Sequence, residues 1–257
     1  MTAQALPKVQ KLTDKINSLL LKKRKPNTFE IRLLTKEADS LKEKIDYEDY
    51  YNLLGRICSL ENNKQGIISN FEKAIKLSPT DYAAQSSYAI ALQCRGLISQ
   101  AMEQAKKLVD IFPNDSEALI FLIEINLLSC KFREALELLK NLENRESFYA
   151  YNLINQAVAI FDYATLSDDE AQHLQELAYS IIKTENIYFS GCETRIIEGC
   201  VHQTIYVDVP IEQTTHINWE LAGVFADNVE DMRSDVLMFE YSSIDILDER
   251  KKYDRII

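Results

Sequence analysis

The 257 residues carry 40 acidic against 29 basic side chains, a net charge of −11, and 46% of them are hydrophobic. Such an acidic chain lacks the basic surface that displaces counterions from phosphates, so nucleic-acid binding is not expected. No stretch approaches the roughly 20 apolar residues of a membrane span, and the N-terminus has no apolar run of the export type, so no membrane partner is expected either. Only six Gly and five Pro favour helix, while 13 Tyr and 10 Phe are enough for a small sheet. Five cysteines, an odd number, fit reduced thiols better than a disulfide framework, and with them a cytoplasmic location.

The charge is uneven along the chain. Residues 1–46 hold 11 basic and 6 acidic side chains, whereas 186–257 hold 6 basic and 14 acidic. Val9, Leu12, Ile16 and Leu19, and then Ile31, Leu34, Ala38, Leu41 and Ile45, alternate steps of three and four. Pro26 and Asn27 separate the two runs, which predicts a helical hairpin over 1–46. It reads as a cap or a divergent repeat, with a dimerising coiled-coil arm as the alternative. "KKRK", Lys22 to Lys25, is the basic cluster of the chain; a solvated helix C-terminus accounts for it, because cations favour that end of the dipole, and an anionic contact site is the alternative.

The middle of the chain is periodic. Pro79 and Pro113 lie 34 residues apart, each closing an amphipathic run. Tyr51, Leu54 and Cys58 share one helical face, and Ile67, Phe71 and Ala74 share the next; Gly55 and Ala74 are small enough to let the two helices approach closely. Pro79 ends one helix, and Thr80 or Asp81 is placed to cap the next. A shift of 34 gives Gln85, Tyr88, Ala89, Leu92, Ala101, Ala105, Leu108 and Ile111, with Gln85 where a bulky residue is expected. A further shift gives Leu119, Leu122, Ile123, Asn126, Ala135, Leu139 and Leu142, a weaker copy with Ser147 in place of the proline.

This pattern resembles the tetratricopeptide repeat, whose period is also 34. The resemblance covers about 47–146, and more weakly 147–184, where "SDDE", Ser167 to Glu170, reads as a capping box ahead of Ala171, Leu174, Leu177, Ala178 and Ile181. It implies stacked hairpins whose first helices line a concave groove for a protein or peptide partner. Carried onto this chain, the groove positions are Asp49, Asn52, Arg56 and Ser59; Ala83, Ser86, Ile90 and Gln93; and Glu117, Ile120, Glu124 and Leu127. The lysine-and-asparagine carboxylate clamp of the family's chaperone-binding members is not reproduced beyond Asn52 and Arg56.

After Thr184 the texture changes. Ile197, Val201, Ile205, Val207 and Val209 alternate as on a strand or two, with Gly199 marking a bulge or a hairpin turn. Ile217, Leu221, Val224 and Phe225 then sit at helical spacing behind a Thr214 or Thr215 cap. "DVLMFEYSS" from Asp235 reads as another strand, and an extra short strand is possible near Tyr188 and Phe189. Trp219 is expected to pack in the core, with a partner-binding anchor as the alternative.

The expected fold is therefore mainly α: a superhelix of tetratricopeptide-like hairpins with a small C-terminal α+β (β-α-β) segment, divided as 1–46, 47–185 and 186–257. No phosphate-binding glycine loop, nucleophile elbow or HExxH pair occurs. Cys58, Cys94 and Cys130 drift around the repeat register and read as small buried hydrophobes. Glu198, Cys200, His202, Tyr206 and Asp208 share the alternate strand face, with Cys192 and His216 nearby in sequence, but without a compact zinc-ligand spacing. The leading expectation is a non-enzymatic adaptor without a cofactor or metal, binding a partner segment at Asp49, Asn52, Arg56, Ser86, Gln93, Ile120 and Glu124. The competing one is an enzyme or ligand sensor acting through His202, Tyr206 and Asp208, with the repeats as a docking scaffold. Self-association through the N-terminal hairpin or an uncapped repeat face is a third.

Overall fold

The computed structural model describes residues 6–230 and 233–246. The ends of the expected 1–46 and 186–257 segments, at 1–5 and 247–257, lie outside the described residues. The chain separates into two compact units, Met1–Phe112 and Pro113–Ile257.

The first unit is built of consecutive helices: α1 (Leu6–Leu21), α2 (Thr28–Asp39), α3 (Tyr47–Glu61), α4 (Lys64–Leu77), α5 (Tyr82–Gln93) and α6 (Ile98–Ile111). Several boundaries have a chemical cause. Asn27 caps α2 in a reciprocal box with Glu30, Asn62 ends α3 in the left-handed conformation, and Asp81, not Thr80, caps α5 by accepting from the Ala83 amide at 3.0 Å. Leu12 and Ile16 of α1, Ile31 and Leu34 of α2, and Leu53, Ile57 and Leu60 of α3 form one core. The expected run through Leu41 and Ile45 leaves the helix at Asp39, yet both side chains stay buried in that core from the following turns.

Gly55 explains the tight crossing of α3 with α4. A Cβ there would stand 2.6 Å from Cδ2 of Phe71, whose ring is wholly buried and stacks on Tyr88 of α5 at a centroid distance of 5.2 Å. The first expected hairpin is thereby fastened both within itself and to the second.

Gln85 has a reason of its own. Its Nε2 donates to the Pro79 carbonyl at 2.8 Å and its Oε1 accepts from Gln104 Nε2 of α6, so one buried amide ties the inter-hairpin turn to both helices. Gln85→Ala leaves the buried Gln104 amide without its acceptor and the Pro79 carbonyl without its donor, and is expected to cost about 1–3 kcal/mol, read as a lower urea midpoint. An unchanged midpoint would remove this role from Gln85.

The second unit opens with α7 (Ser116–Leu128) and a short α8 (Phe132–Leu139), followed by a 3-10 turn (Arg145–Ser147), α9 (Tyr151–Ala164) and α10 (Asp168–Thr184). Ser167 and Glu170 form the expected capping box. The strands β1 (Phe189–Ile197), β2 (Cys200–Val207) and β3 (Leu237–Ser243) make a mixed sheet in the order β1-β2-β3, with α11 (Ile211–Asn228) between β2 and β3 in sequence. The β2–α11–β3 portion is the expected β-α-β, with β3 parallel to β2.

The expected tail is made definite at one point and corrected at two. Ahead of the β-α-β lies an antiparallel hairpin turning at Glu198 and Gly199, both with positive φ, and the short strand near Phe189 is the beginning of β1. Ile197, last before that turn, is 44% exposed, so it does not share the buried face of Val201, Ile205 and Val207. Helix α11 begins at Ile211 behind Pro210, a turn earlier than a Thr214 or Thr215 cap requires; Thr214 is inside the helix, and its hydroxyl donates back to the Ile211 carbonyl.

Gln203, fully buried in the middle of β2, donates from Nε2 to the Leu127 carbonyl at 3.0 Å, and Tyr241 of β3 donates to the Ala178 carbonyl. The sheet is thus bonded directly to the last turn of α7 and to α10. At the outer edge of β3, Asn218 of α11 accepts from the Tyr241 amide at 2.8 Å and donates to its carbonyl at 2.9 Å. A side-chain amide there does what a further strand would do, and blunts the edge. Among the described residues, no helix is long and apolar enough to cross a membrane.

Candidate functional site

A concavity within the second unit lies beside α7. Helix α8 ends at Leu139, although the repeat register carries the helix to Leu142; α6, its counterpart one register earlier, has 14 residues where α8 has 8. The segment after Leu139, "KNLENRES", offers little apolar surface beyond Leu142, and Asn144 adopts the left-handed conformation at φ 54°. With the helix stopped short, a cleft of about 1130 Å³ opens between the first turns of α7 and residues 141–149.

Ile120 and Glu124, one helical turn apart on α7, line this cleft, with Leu119, Leu142, Phe148 and Tyr149 supplying further apolar surface. The Tyr149 hydroxyl donates to Glu124 Oε1 at 3.1 Å, across from the loop to the helix. Partial burial raises the Glu124 carboxyl pKa, against the lowering effect of the Tyr149 hydrogen bond. Burial, followed by the adjacent Glu124 charge, pushes the Tyr149 phenol above its ordinary value, so it stays a donor at neutral pH. Three carboxylates, those of Asp115, Glu124 and Glu143, line the cleft against the single guanidinium of Arg145. Asp115 is engaged as the cap of α7, accepting from the Ala118 amide at 2.9 Å. Chemically, the cleft offers apolar contact and a half-desolvated carboxylate, which suits a cationic head on an aliphatic stem.

The other expected groove residues are placed differently. On α3, Asn52 is buried at 9% exposure, Asp49 is half-buried, and Arg56 donates from Nη2 to Asn17 Oδ1 of the chain's own α1. Burial, then the neighbouring carboxylates Glu48, Asp81 and Asp46, raise the Asp49 pKa. On α5, the Ser86 hydroxyl donates back to the Tyr82 carbonyl at 2.7 Å, and Gln93 is half-buried at the last position.

His202 and Tyr206 share the outer face of β2, and Asp208 follows the strand end. Tyr206 is 3% exposed and donates to Glu193 Oε2 of β1 at 3.0 Å; Glu193 in turn accepts from Arg195, and Thr204 donates to Glu240 of β3. The Tyr206 and Thr204 bonds cross-link neighbouring strands, as on a polar sheet face. Among the described residues, no three His, Cys, Asp or Glu side chains are grouped to hold a metal.

Two expectations from the sequence are corrected. Trp219 is 75% exposed on the outer side of α11, because Ile217, Leu221 and Phe225 supply the buried stripe and position 219 falls between them. Of the three register cysteines, Cys130 is fully buried, but Cys58 and Cys94 are only half-buried; none of the five is in a disulfide. Tyr149 was missed from sequence because it follows a helix stop that the repeat register does not contain. The polar run from Lys140 to Ser147 was the available signal.

No known protein family, curated protein or solved structure matches the chain.

Proposed function

We propose that the chain is a non-enzymatic adaptor built from tetratricopeptide-like helical hairpins, and that the α7 cleft holds an extended segment of a protein partner. The observation that carries this reading is the pairing of Ile120 and Glu124 with Tyr149 in one open cleft. The 34-residue spacing, the consecutive helix-to-helix packing and the Gly55–Phe71 crossing support the repeat assignment. A cytoplasmic setting belongs to the same proposal and rests on five unpaired thiols.

The bound segment carries a lysine or arginine next to an apolar residue. The cation pairs with Glu124, and the apolar neighbour packs on Ile120 and Leu142. Asn52 and Arg56 are secondary in this reading, since Arg56 already serves Asn17.

The test is selection of random extended peptides on the full chain, followed by titration of the enriched sequences. A basic-plus-apolar motif is expected, and Glu124→Lys should weaken it by at least tenfold through like-charge juxtaposition, with unfolding unchanged. The cation site needs the ionised carboxylate, and the folded pKa of Glu124 is raised. Affinity should therefore begin to fall, as pH is lowered, at a higher pH than an ordinary glutamate would give. Enrichment of acidic peptides, or affinity indifferent to Glu124→Lys, contradicts the assignment.

A further inference from the structure

The tip of the N-terminal hairpin joins two features that composition does not connect. Leu21, the last residue of α1, is 81% exposed; Phe29, the second of α2, is 70% exposed, and Leu33, a turn further along the same helix, is 46% exposed. Between Leu21 and Phe29 runs Lys22-Lys23-Arg24-Lys25, in which the three lysines are exposed. The chain leaves α1 through Lys23 at φ 56° and enters α2 through the reciprocal Asn27–Glu30 box, so both apolar side chains are presented from a fixed turn. Glu30, the acidic residue closest in sequence, is engaged by the Asn27 amide.

We propose that this tip docks on an anionic lipid surface, with Leu21 and Phe29 entering the interfacial layer and the lysines lying among the acidic headgroups. Charge complementarity supports this occupant: Lys22 and Lys23 are exposed within a run of four consecutive cations, and screening over about 8 Å at physiological salt lets that local charge act in a chain whose net charge is −11. The exposed Leu and Phe decide between anionic partners, because a bilayer offers acidic headgroups over a hydrocarbon layer, whereas a phosphate backbone offers nothing to Leu21. Such peripheral docking requires no membrane-spanning helix.

The test uses the full chain in flotation with vesicles of phosphatidylcholine alone or with 30% phosphatidylserine. Co-flotation is expected only with phosphatidylserine and should weaken in high salt. Both Lys22→Glu/Lys23→Glu and Leu21→Ser/Phe29→Ser should lower the partition coefficient about tenfold or more; these side chains are exposed, so circular dichroism should show both variants folded. The proposal is overturned if the wild type does not float with phosphatidylserine, if the serine variant floats as well as the wild type, or if a single-stranded RNA or polyglutamate probe at the same salt outcompetes the vesicles for this tip.

Discussion

Phe71→Ala is expected to lower the stability of the first unit by about 3–5 kcal/mol, the range for truncating a fully buried aromatic. The ring fills the crossing of α3 and α4, where Gly55 leaves room for it, and it also provides the stacking surface for Tyr88 of α5. Truncation opens a cavity at one contact and strips the other. Urea unfolding followed by tyrosine fluorescence reads the loss. A second comparison isolates the cause: Gly55→Ala alone should cost about 1–3 kcal/mol by overpacking, and markedly less in a Phe71→Leu background, where the new methyl finds space. Strict additivity of the two changes would contradict the assigned role of the glycine.

Asp168→Ala should destabilise the second unit by about 2–4 kcal/mol. Lys131, at the cap position of α8, has no side-chain acceptor for the first amides and donates instead to Glu134, so the carboxylate of Asp168, first residue of α10, takes over the cap. Its Oδ2 accepts from the Arg133 and Glu134 amides at 3.0 and 3.1 Å, and its Oδ1 accepts from Arg133 Nη1 at 3.1 Å. Removing it leaves the first amides of an eight-residue helix without these acceptors, and it also takes a carboxylate from the guanidinium of Arg133, which still pairs with Asp162. The neighbouring Asp169, whose side chain is 92% exposed, is the control: Asp169→Ala should stay within about 0.5 kcal/mol. Equal effects of the two substitutions would refute the capping role.

The helical part of this fold was legible where the local chemistry is unambiguous. Asp81, one of the two residues expected to cap α5, and Ser167 stand where caps are needed, and Phe71, Ala74, Ala101 and Ala105 mark buried faces by spacing alone. What was not legible depends on tertiary partners. The end of α8 at Leu139 contradicts the repeat register, and the fully buried Gln203 of β2 cannot be recognised as a core residue without the Leu127 carbonyl that its amide meets. Trp219 looked like a core residue because its size invites burial, yet the stripe of Ile217, Leu221 and Phe225 was already sufficient. The candidate site was half visible: the resemblance to tetratricopeptide repeats pointed to Ile120 and Glu124 on α7, but Tyr149 and the shape of the cleft come from a helix that stops early.

The partner site is tested most directly by mapping amide chemical-shift changes on the full chain as a peptide selected for binding is titrated in. The account predicts that the changes concentrate at Leu119 to Glu124 and at Asn141 to Tyr149. Changes centred instead on His202 to Asp208, or on Asn52 and Arg56, would contradict it.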